Sequence, residues 1–204
     1  MRIFEHSSET EDMKKLVVID SCVRQSDSRT LRIAEPIIDA LAKRYQIIRY
    51  SLPEMDIVPL NPALFAQRSE GQIPAWAKEA AEAIASADRI LITAPFWDMS
   101  FPAVLKCFFE QVSLFDITFT DNGKTCVGLC KSPKVLYITS RGMDIHTGSY
   151  LDQGTPYLRA LGSLWNWGEM TVLDVHNTDY ITQQALDKEI QATIDEGIEL
   201  AKQW

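Results

Sequence analysis

Short apolar runs alternate with segments of helical period five times along the chain, and this alternation constrains the fold most strongly. The apolar runs, rich in β-branched residues, predict strands at 16–19, 46–52, 90–94, 135–139 and 170–175. The helical patterns cover 28–44, 74–87, 101–113, 155–165 and 182–202. Strands that are apolar on both faces and alternate with helices are typical of a parallel sheet covered on both sides. We therefore predict one doubly wound α/β domain with a five-stranded parallel sheet.

Three features interrupt this regular alternation. The sequence Asp121-Asn122-Gly123 is a turn signal, and it predicts a small hairpin between 117–119 and 127–129, ahead of the fourth strand. Pro36 lies within the first helical pattern, so it must kink that helix or shift its start. We interpret the stretch 53–73 as a loop with room for one helical turn.

The composition fits one globular domain, which we place at 14–204 after a polar extension at 1–13. A chain of 204 residues with 46% hydrophobic content can bury a sizeable core. Its net charge of −8 argues against a nucleic-acid partner or an anionic membrane surface, because both select basic patches. No apolar run approaches the roughly 20 residues that span a bilayer, and the extension lacks the apolar core of a signal peptide.

The cysteines indicate a reducing compartment and no metal site. Cys22, Cys107, Cys126 and Cys130 are few and irregularly spaced. Cys126 and Cys130 could share an ion, but no second pair and no nearby histidine completes a tetrahedral ligand set. We expect four reduced thiols in a cytoplasmic protein.

The loop after the first predicted strand is rich in hydroxyl groups. It lacks the glycine pattern of dinucleotide-binding loops and the Gly-Lys-Ser/Thr ending of a P-loop. Hydroxyls, free N–H groups and the positive end of a helix dipole together suit a single phosphate group. An ordinary N-cap cluster is the alternative, although it explains only one or two of the hydroxyls. The hydroxyl-bearing residues of this loop are Ser21, Ser26, Ser28 and Thr30, and Arg24 and Arg29 lie among them.

Two further loops follow strands three and four. The first carries Phe96, Trp97 and Asp98, which suits a flat aromatic ligand, although the two rings could instead close the core beneath the next helix. The second carries Gly142, whose backbone can turn sharply, and His146. Ligands of open α/β sheets bind at the carboxyl ends of the strands, as FMN does in flavodoxin. A phosphate beside strand one and a ring between strands three and four therefore predict a bound FMN.

The chain resembles the FMN-dependent NAD(P)H:quinone oxidoreductases, including the bacterial FMN-dependent azoreductases. The resemblance rests on an ordered set of short motifs that together span most of the domain. These motifs are Ser26-x-Ser28-x-x-Leu31, Ala94-Pro95-Phe96-Trp97-Asp98-Met99, Leu105-Lys106-x-Phe108-Phe109, Thr118-Phe119 with Asn122-Gly123, Ile138-Thr139-Ser140-Arg141-Gly142 with Ile145-His146, and Thr155-Pro156-Tyr157-Leu158.

The resemblance implies a flavodoxin-like sheet of order 2-1-3-4-5 and assigns roles to individual residues. Ser21, Ser26 and Ser28 would hold the phosphate, with Arg29 and Thr30 beside them. The isoalloxazine would lie along Phe96, Trp97, Asp98 and Met99, with Ser140, Arg141, Gly142 and Met143 at its pyrimidine end. His146 would balance charge on the reduced ring, and Phe119 and Trp97 would form walls for the substrate.

The implied activity is a ping-pong reaction in a homodimer. NADH or NADPH would reduce FMN, and a planar quinone or azo compound would then take the same place and accept two electrons. A flavin or chromate reductase of the same fold is one alternative, and a flavodoxin-like electron carrier without its own turnover is another. A receiver domain fits less well, because strand three ends in Thr93-Ala94-Pro95 rather than in an aspartate. His146 could equally be a surface histidine.

The chain departs from the family pattern at three places. Asp98 stands where the family usually has Asn, and a carboxylate accepts hydrogen bonds but donates none. The first loop is shorter than in the azoreductases, and Cys22 replaces its second serine. Met143 replaces the second glycine of a Ser-Arg-Gly-Gly pattern.

Overall fold

A computed structural model describes residues 13–204, so the predicted extension at 1–13 lies outside the described residues except for Met13. The main sheet has five parallel strands: β1 (Lys15–Asp20), β2 (Gln46–Ser51), β3 (Arg89–Thr93), β6 (Lys134–Ser140) and β7 (Glu169–Val175). Their order in the sheet is β2-β1-β3-β6-β7. Without the two strands of the hairpin, this order is the predicted 2-1-3-4-5.

Helices cover both faces of this sheet, as the sequence predicts. The helices are α1 (Arg29–Leu41), α2 (Pro62–Ser69), α3 (Ala75–Ser86), α4 (Ala103–Val112), α5 (Gly154–Trp165) and α6 (Gln183–Gln203). Alternate residues of β1 point to opposite layers: Leu16 and Val18 pack with α1 and α6, whereas Val17 and Ile19 join the core formed with α3, α4 and α5. Among the described residues, no helix is long and apolar enough to cross a membrane.

One segment differs in detail from its prediction. The stretch 53–73 holds an eight-residue helix, α2, instead of one turn, because the Asn61 side chain accepts hydrogen bonds from the N–H groups of Ala63 and Leu64. Of the two effects predicted for Pro36, a shifted start is excluded, because α1 begins at Arg29 and continues past the proline to Leu41.

The predicted hairpin lies at the far edge of the sheet. Strands β4 (Phe119–Asp121) and β5 (Cys126–Gly128) pair antiparallel across the Asn122-Gly123 turn. The hairpin follows the C-terminal end of α4, and just beyond it Cys130 donates a hydrogen bond to Trp165, the last residue of α5. Because crossover helices run antiparallel to the strands, both contacts lie near the amino ends of the strands. The carboxyl edge is left to the loops that follow β1, β3, β6 and β7.

Candidate functional site

The loop after β1 ends in a capped helix N-terminus. A short 3-10 turn (Gln25–Asp27) leads into Ser28, whose hydroxyl accepts a hydrogen bond from the Leu31 N–H at 3.3 Å. The N–H groups of Arg29 and Thr30 belong to the first turn of α1, where backbone donors have no partner within the helix. These donors and the helix dipole make the start of α1 suited to an anion.

The loop after β3 forms a tight turn with unusual backbone angles. Trp97 and Ser100 exchange hydrogen bonds of 3.1 and 2.8 Å, and the two residues between them, Asp98 and Met99, have φ of +49° and +64°. Positive φ at both central positions is typical of a type I′ turn, which prefers Asn or Gly. Asp tolerates this conformation and Met does so poorly, so the turn stores local strain. The Phe96 N–H donates to the Ser140 carbonyl at 3.0 Å and anchors the turn to β6.

The loops after β6 and β7 are bound to each other along their backbones. The N–H groups of Asn177 and Asp179 donate to the carbonyls of Met143 and Gly142 at 2.9 and 3.1 Å. A Cβ at Gly142 would lie only 2.2 Å from Asp179 Oδ2, so this position requires glycine for close approach. Two loops that are far apart in sequence therefore form one wall of the site.

These loops enclose a cavity of about 250 Å³ at the carboxyl edge of the sheet. The cavity connects the start of α1 with the turn at 97–100 and with the wall formed by the loops after β6 and β7. Its lining residues are Arg24, Asp27, Ser28, Arg29, Pro95, Phe96, Trp97, Asp98, Met99, Ser140, Gly142, Met143, Thr178 and Asp179. Nine of these lining residues are site residues that the sequence analysis singles out.

The loop after β7 also contributes to the site, and the sequence analysis did not predict this contribution. Arg29 Nη1 contacts Asp179 Oδ1 at 2.5 Å and Thr178 Oγ1 at 2.9 Å, so this loop anchors the arginine at the mouth of the cavity. Neither Thr178 nor Asp179 belongs to a recognisable motif. Only the position of this loop could have indicated its role, because it begins at the carboxyl end of a strand, at the same edge of the sheet as the other loops.

Arg141 does not reach the cavity, contrary to the prediction that it contacts a ligand. Its side chain is fully buried, and its guanidinium donates to the Ile145 carbonyl, Thr147 Oγ1 and Asp152 Oδ2 at 2.9, 2.8 and 3.3 Å. The guanidinium carbon lies 5.1 Å from the centre of the Phe96 ring. Arg141 therefore holds the loop after β6 and supports an aromatic residue that lines the cavity.

The pKa of Asp152 lies below its ordinary value. Burial alone would raise this pKa, but hydrogen bonds from the N–H groups of Gly148 and Thr155 and the charge of Arg141 outweigh burial. Asp152 is therefore ionised at neutral pH and completes a buried ion pair beneath the site.

Three predicted phosphate ligands also lie outside this cavity. Ser21 is fully buried and its hydroxyl donates to the Thr93 carbonyl, whereas the Thr30 hydroxyl is 2.7 Å from that of Ser140. Ser26 is exposed and lines a second, larger cavity of about 890 Å³ on the outer side of the loop, which also includes Ser28 and Arg49. Because that cavity does not include the residues of the 97–100 turn, we place the site in the smaller one.

His146 and Phe119 do not line the cavity. The His146 side chain is 66% exposed and packs against His176, with ring centres 4.0 Å apart. Phe119 belongs to the hairpin at the opposite edge of the sheet, where its ring contacts Phe115. The roles that the resemblance implies for these two residues stay predictions.

A family model described as flavodoxin-like fold matches residues 14–196. The chain is 29% identical to an "FMN-dependent NADH:quinone oxidoreductase" of Clostridium perfringens strain SM101 over 94% of this chain and 100% of that protein. A protein of the same name from Pseudomonas putida, numbered 2, is 25% identical over 86% of this chain and 89% of its own length.

Solved structures of low sequence identity share the fold. An "FMN-dependent NADH-azoreductase" from Bacillus anthracis, solved in complex with FMN, superposes with a TM-score of 0.80 at 16% identity, over 94% of this chain and 99% of that one. An NAD(P)H:quinone oxidoreductase from Methanothermobacter marburgensis has a TM-score of 0.70 at 16% identity, over 92% and 98% of the two chains.

Proposed function

Because the chain belongs to the flavodoxin-like family whose model it matches over residues 14–196, we propose that it is an FMN-dependent NAD(P)H oxidoreductase. Its acceptors are quinones, azo compounds or both, the substrates that the names of its relatives indicate. NADH is the donor named for the quinone-reducing relatives, and NADPH is the alternative.

The observation that carries the proposal is the joining of two features in one cavity. The start of α1 offers N–H donors and the Ser28 hydroxyl, which suit a phosphate, and the turn at 97–100 lies at the other side of the same cavity. A volume of about 250 Å³ is below the range of about 300–1,000 Å³ typical of sites that enclose a whole ligand. An isoalloxazine held here would therefore keep part of its surface open to a second flat molecule.

Each wall of the cavity has a distinct task in this proposal. Ser28 and the N–H group of Arg29 bind the phosphate, and the Arg29 side chain, paired with Asp179, lies at the mouth. The backbone N–H groups of Asp98 and Met99 face no partner within the turn and orient the polar edge of the ring. Bound FMN supplies two-electron hydride chemistry, for which the chain provides orientation and hydrogen bonds.

Two exposed apolar side chains beside the cavity could contact the acceptor. Trp97 and Met143 are each 40% exposed next to the cavity, and they offer a flat, partly apolar surface for a planar acceptor. They also suit the second subunit of a homodimer, which would cover each site. The four cysteines are free thiols, which is in keeping with a cytoplasmic location.

One spectroscopic experiment tests this function. The protein is incubated with FMN, freed of excess, and then titrated anaerobically with NADH or NADPH while its absorbance is recorded. We expect flavin retained near one per chain, loss of its visible bands with the donor, and their return on adding a quinone. Retained bands that no nicotinamide bleaches would contradict the enzyme and favour an electron carrier. No retained flavin would contradict both.

The carboxylate of Asp98 provides a prediction about redox behaviour. Asp98→Asn keeps a residue that tolerates positive φ but removes a negative charge beside the ring, so it should favour the reduced, more negative cofactor. We expect the FMN midpoint potential to rise by about 30 mV, equivalent to about 1.4 kcal/mol for two electrons. The measurement is an equilibrium titration against reference dyes. The control is Asp56→Asn, which removes an exposed carboxylate that does not line the cavity, and a potential equally raised there would contradict the assignment.

A further inference from the structure

Three side chains with metal-binding atoms meet beside the cavity, although the sequence analysis predicts no metal site. One ligand atom each of Asp144, His146 and His176 lies within 4.8 Å of the other two. Asp144 and His146 belong to the loop after β6, and His176 is the first residue after β7. The cluster does not form a sequence motif, because the two histidines are 30 positions apart in the sequence.

The two distances to the Asp144 carboxylate suit a single tetrahedral ion. Nε2 of His146 and Nε2 of His176 each lie 3.4 Å from Asp144 Oδ1. Two atoms that bind one zinc ion at 2.0–2.1 Å in tetrahedral geometry are about 3.3 Å apart. Both imidazoles therefore present the same ring nitrogen towards one carboxylate oxygen at the spacing of zinc ligands.

A second carboxylate lies on the other side of one of the two histidines. Asp174 Oδ2 is 3.9 Å from the second ring nitrogen of His176, Nδ1, and 4.0 Å from the buried Arg141 guanidinium. A metal-binding histidine usually donates from its second nitrogen to a carboxylate, which fixes the tautomer and orients the ring. Asp174 is on the side of His176 where such a partner belongs, although 3.9 Å is longer than a hydrogen bond.

We propose that Asp144, His146 and His176 form a site for a divalent transition-metal ion, with Zn²⁺ as the preferred occupant. Two imidazole nitrogens and one carboxylate oxygen suit zinc better than Mg²⁺ or Ca²⁺, which take mostly oxygen ligands. Asp144 and His146 are exposed, so water completes the coordination. The ion links the loops after β6 and β7, which form one wall of the cavity, and the proposal does not depend on FMN.

Equilibrium dialysis against Zn²⁺ tests the site directly. We expect one tightly held zinc per chain, and a rise in Tm with Zn²⁺ because the ion binds only the folded arrangement. Zinc binding should weaken by about 100-fold or more in each of the variants His146→Ala, His176→Ala and Asp144→Ala. Replacing a residue that only hydrogen-bonds to a metal ligand already lowers metal affinity by about 10–100-fold, and these three residues are the ligands themselves. Co²⁺ in place of Zn²⁺ should give the visible bands of a tetrahedral site in the unaltered protein and not in these variants.

The third histidine of the chain provides the matched control. His6 lies outside the described residues, and His6→Ala should leave the zinc stoichiometry and affinity unchanged. Zinc binding that survives His146→Ala and His176→Ala, or that His6→Ala abolishes, would overturn the proposal. So would an unaltered protein that retains no zinc, because the cluster would then hold only hydrogen-bonded ion pairs. Circular dichroism of each variant excludes loss of the fold as the cause.

Discussion

Ser28→Asp is expected to weaken FMN binding by about 100-fold or more, because a like charge facing the phosphate costs several kcal/mol and each 1.4 kcal/mol is a factor of ten. The substitution should spare the helix, since Asp caps a helix N-terminus as well as Ser and its charge suits the helix dipole. The measurement is a fluorescence titration with FMN, repeated with riboflavin, which has the same ring and no phosphate. Riboflavin affinity should change little.

The matched control for this substitution is Thr182→Asp. Thr182 caps α6 in the same way, by accepting a hydrogen bond from the Ala185 N–H at 3.3 Å, and it does not line the cavity. The Thr182→Asp variant should bind FMN with the same affinity as the unaltered protein. Equal losses for FMN and riboflavin in Ser28→Asp, or no loss for either, would place the phosphate somewhere other than at the start of α1.

Arg141→Met is expected to destabilise the protein by about 3–5 kcal/mol, because it leaves the buried Asp152 without its cation. For a domain of this size, that loss lowers Tm by roughly 6–20 °C. Thermal unfolding monitored by circular dichroism measures it. Arg32→Met is the control, since it breaks the exposed pair with Asp187 and should leave Tm essentially unchanged.

Two further measurements isolate the unpaired charge as the cause. Adding Asp152→Asn to Arg141→Met should restore part of the lost stability. The depressed pKa of Asp152 also predicts the pH dependence in the unaltered protein: its contribution is present above about pH 4 and is lost as pH falls through the lowered folded-state pKa. In Arg141→Met this loss should begin at higher pH. A Tm equal to that of the unaltered protein would contradict a structural role for Arg141.

The parallel sheet could be predicted from the sequence because it depends on properties that residues carry individually, whereas the order of its strands was implied by the family resemblance. Buried parallel strands such as Ile90 to Thr93 need apolar side chains on both faces, and this need is visible without knowledge of their neighbours. The positions of the loops after β1 and β3 could also be predicted, because both loops begin at the carboxyl ends of parallel strands, which lie at one edge of the sheet. The helix α2 was harder to predict, because its start depends on the cap provided by Asn61.

The roles of individual loop residues could not be predicted in the same way. Arg141 carries a charge that suggests a ligand, yet its partners Ile145, Thr147 and Asp152 bury it completely. Ser21 and Thr30 have hydroxyls that suit a phosphate, but neighbouring strands and loops already use those hydroxyls. Whether a polar side chain faces a ligand or the protein interior depends on partners that are distant in sequence. The spacing of residues within one loop does not reveal which partners these are.

The contact between Arg29 and Asp179 has a consequence for how the protein acquires its activity. The two residues are separated by 150 positions, and one of them follows the last strand of the sheet. Contacts of such long range form slowly, because closing a long loop costs entropy before any interaction repays it. A partly folded chain that lacks β7 therefore has no complete cavity. The yellow colour of a loaded sample would then report the fraction of molecules that have finished folding.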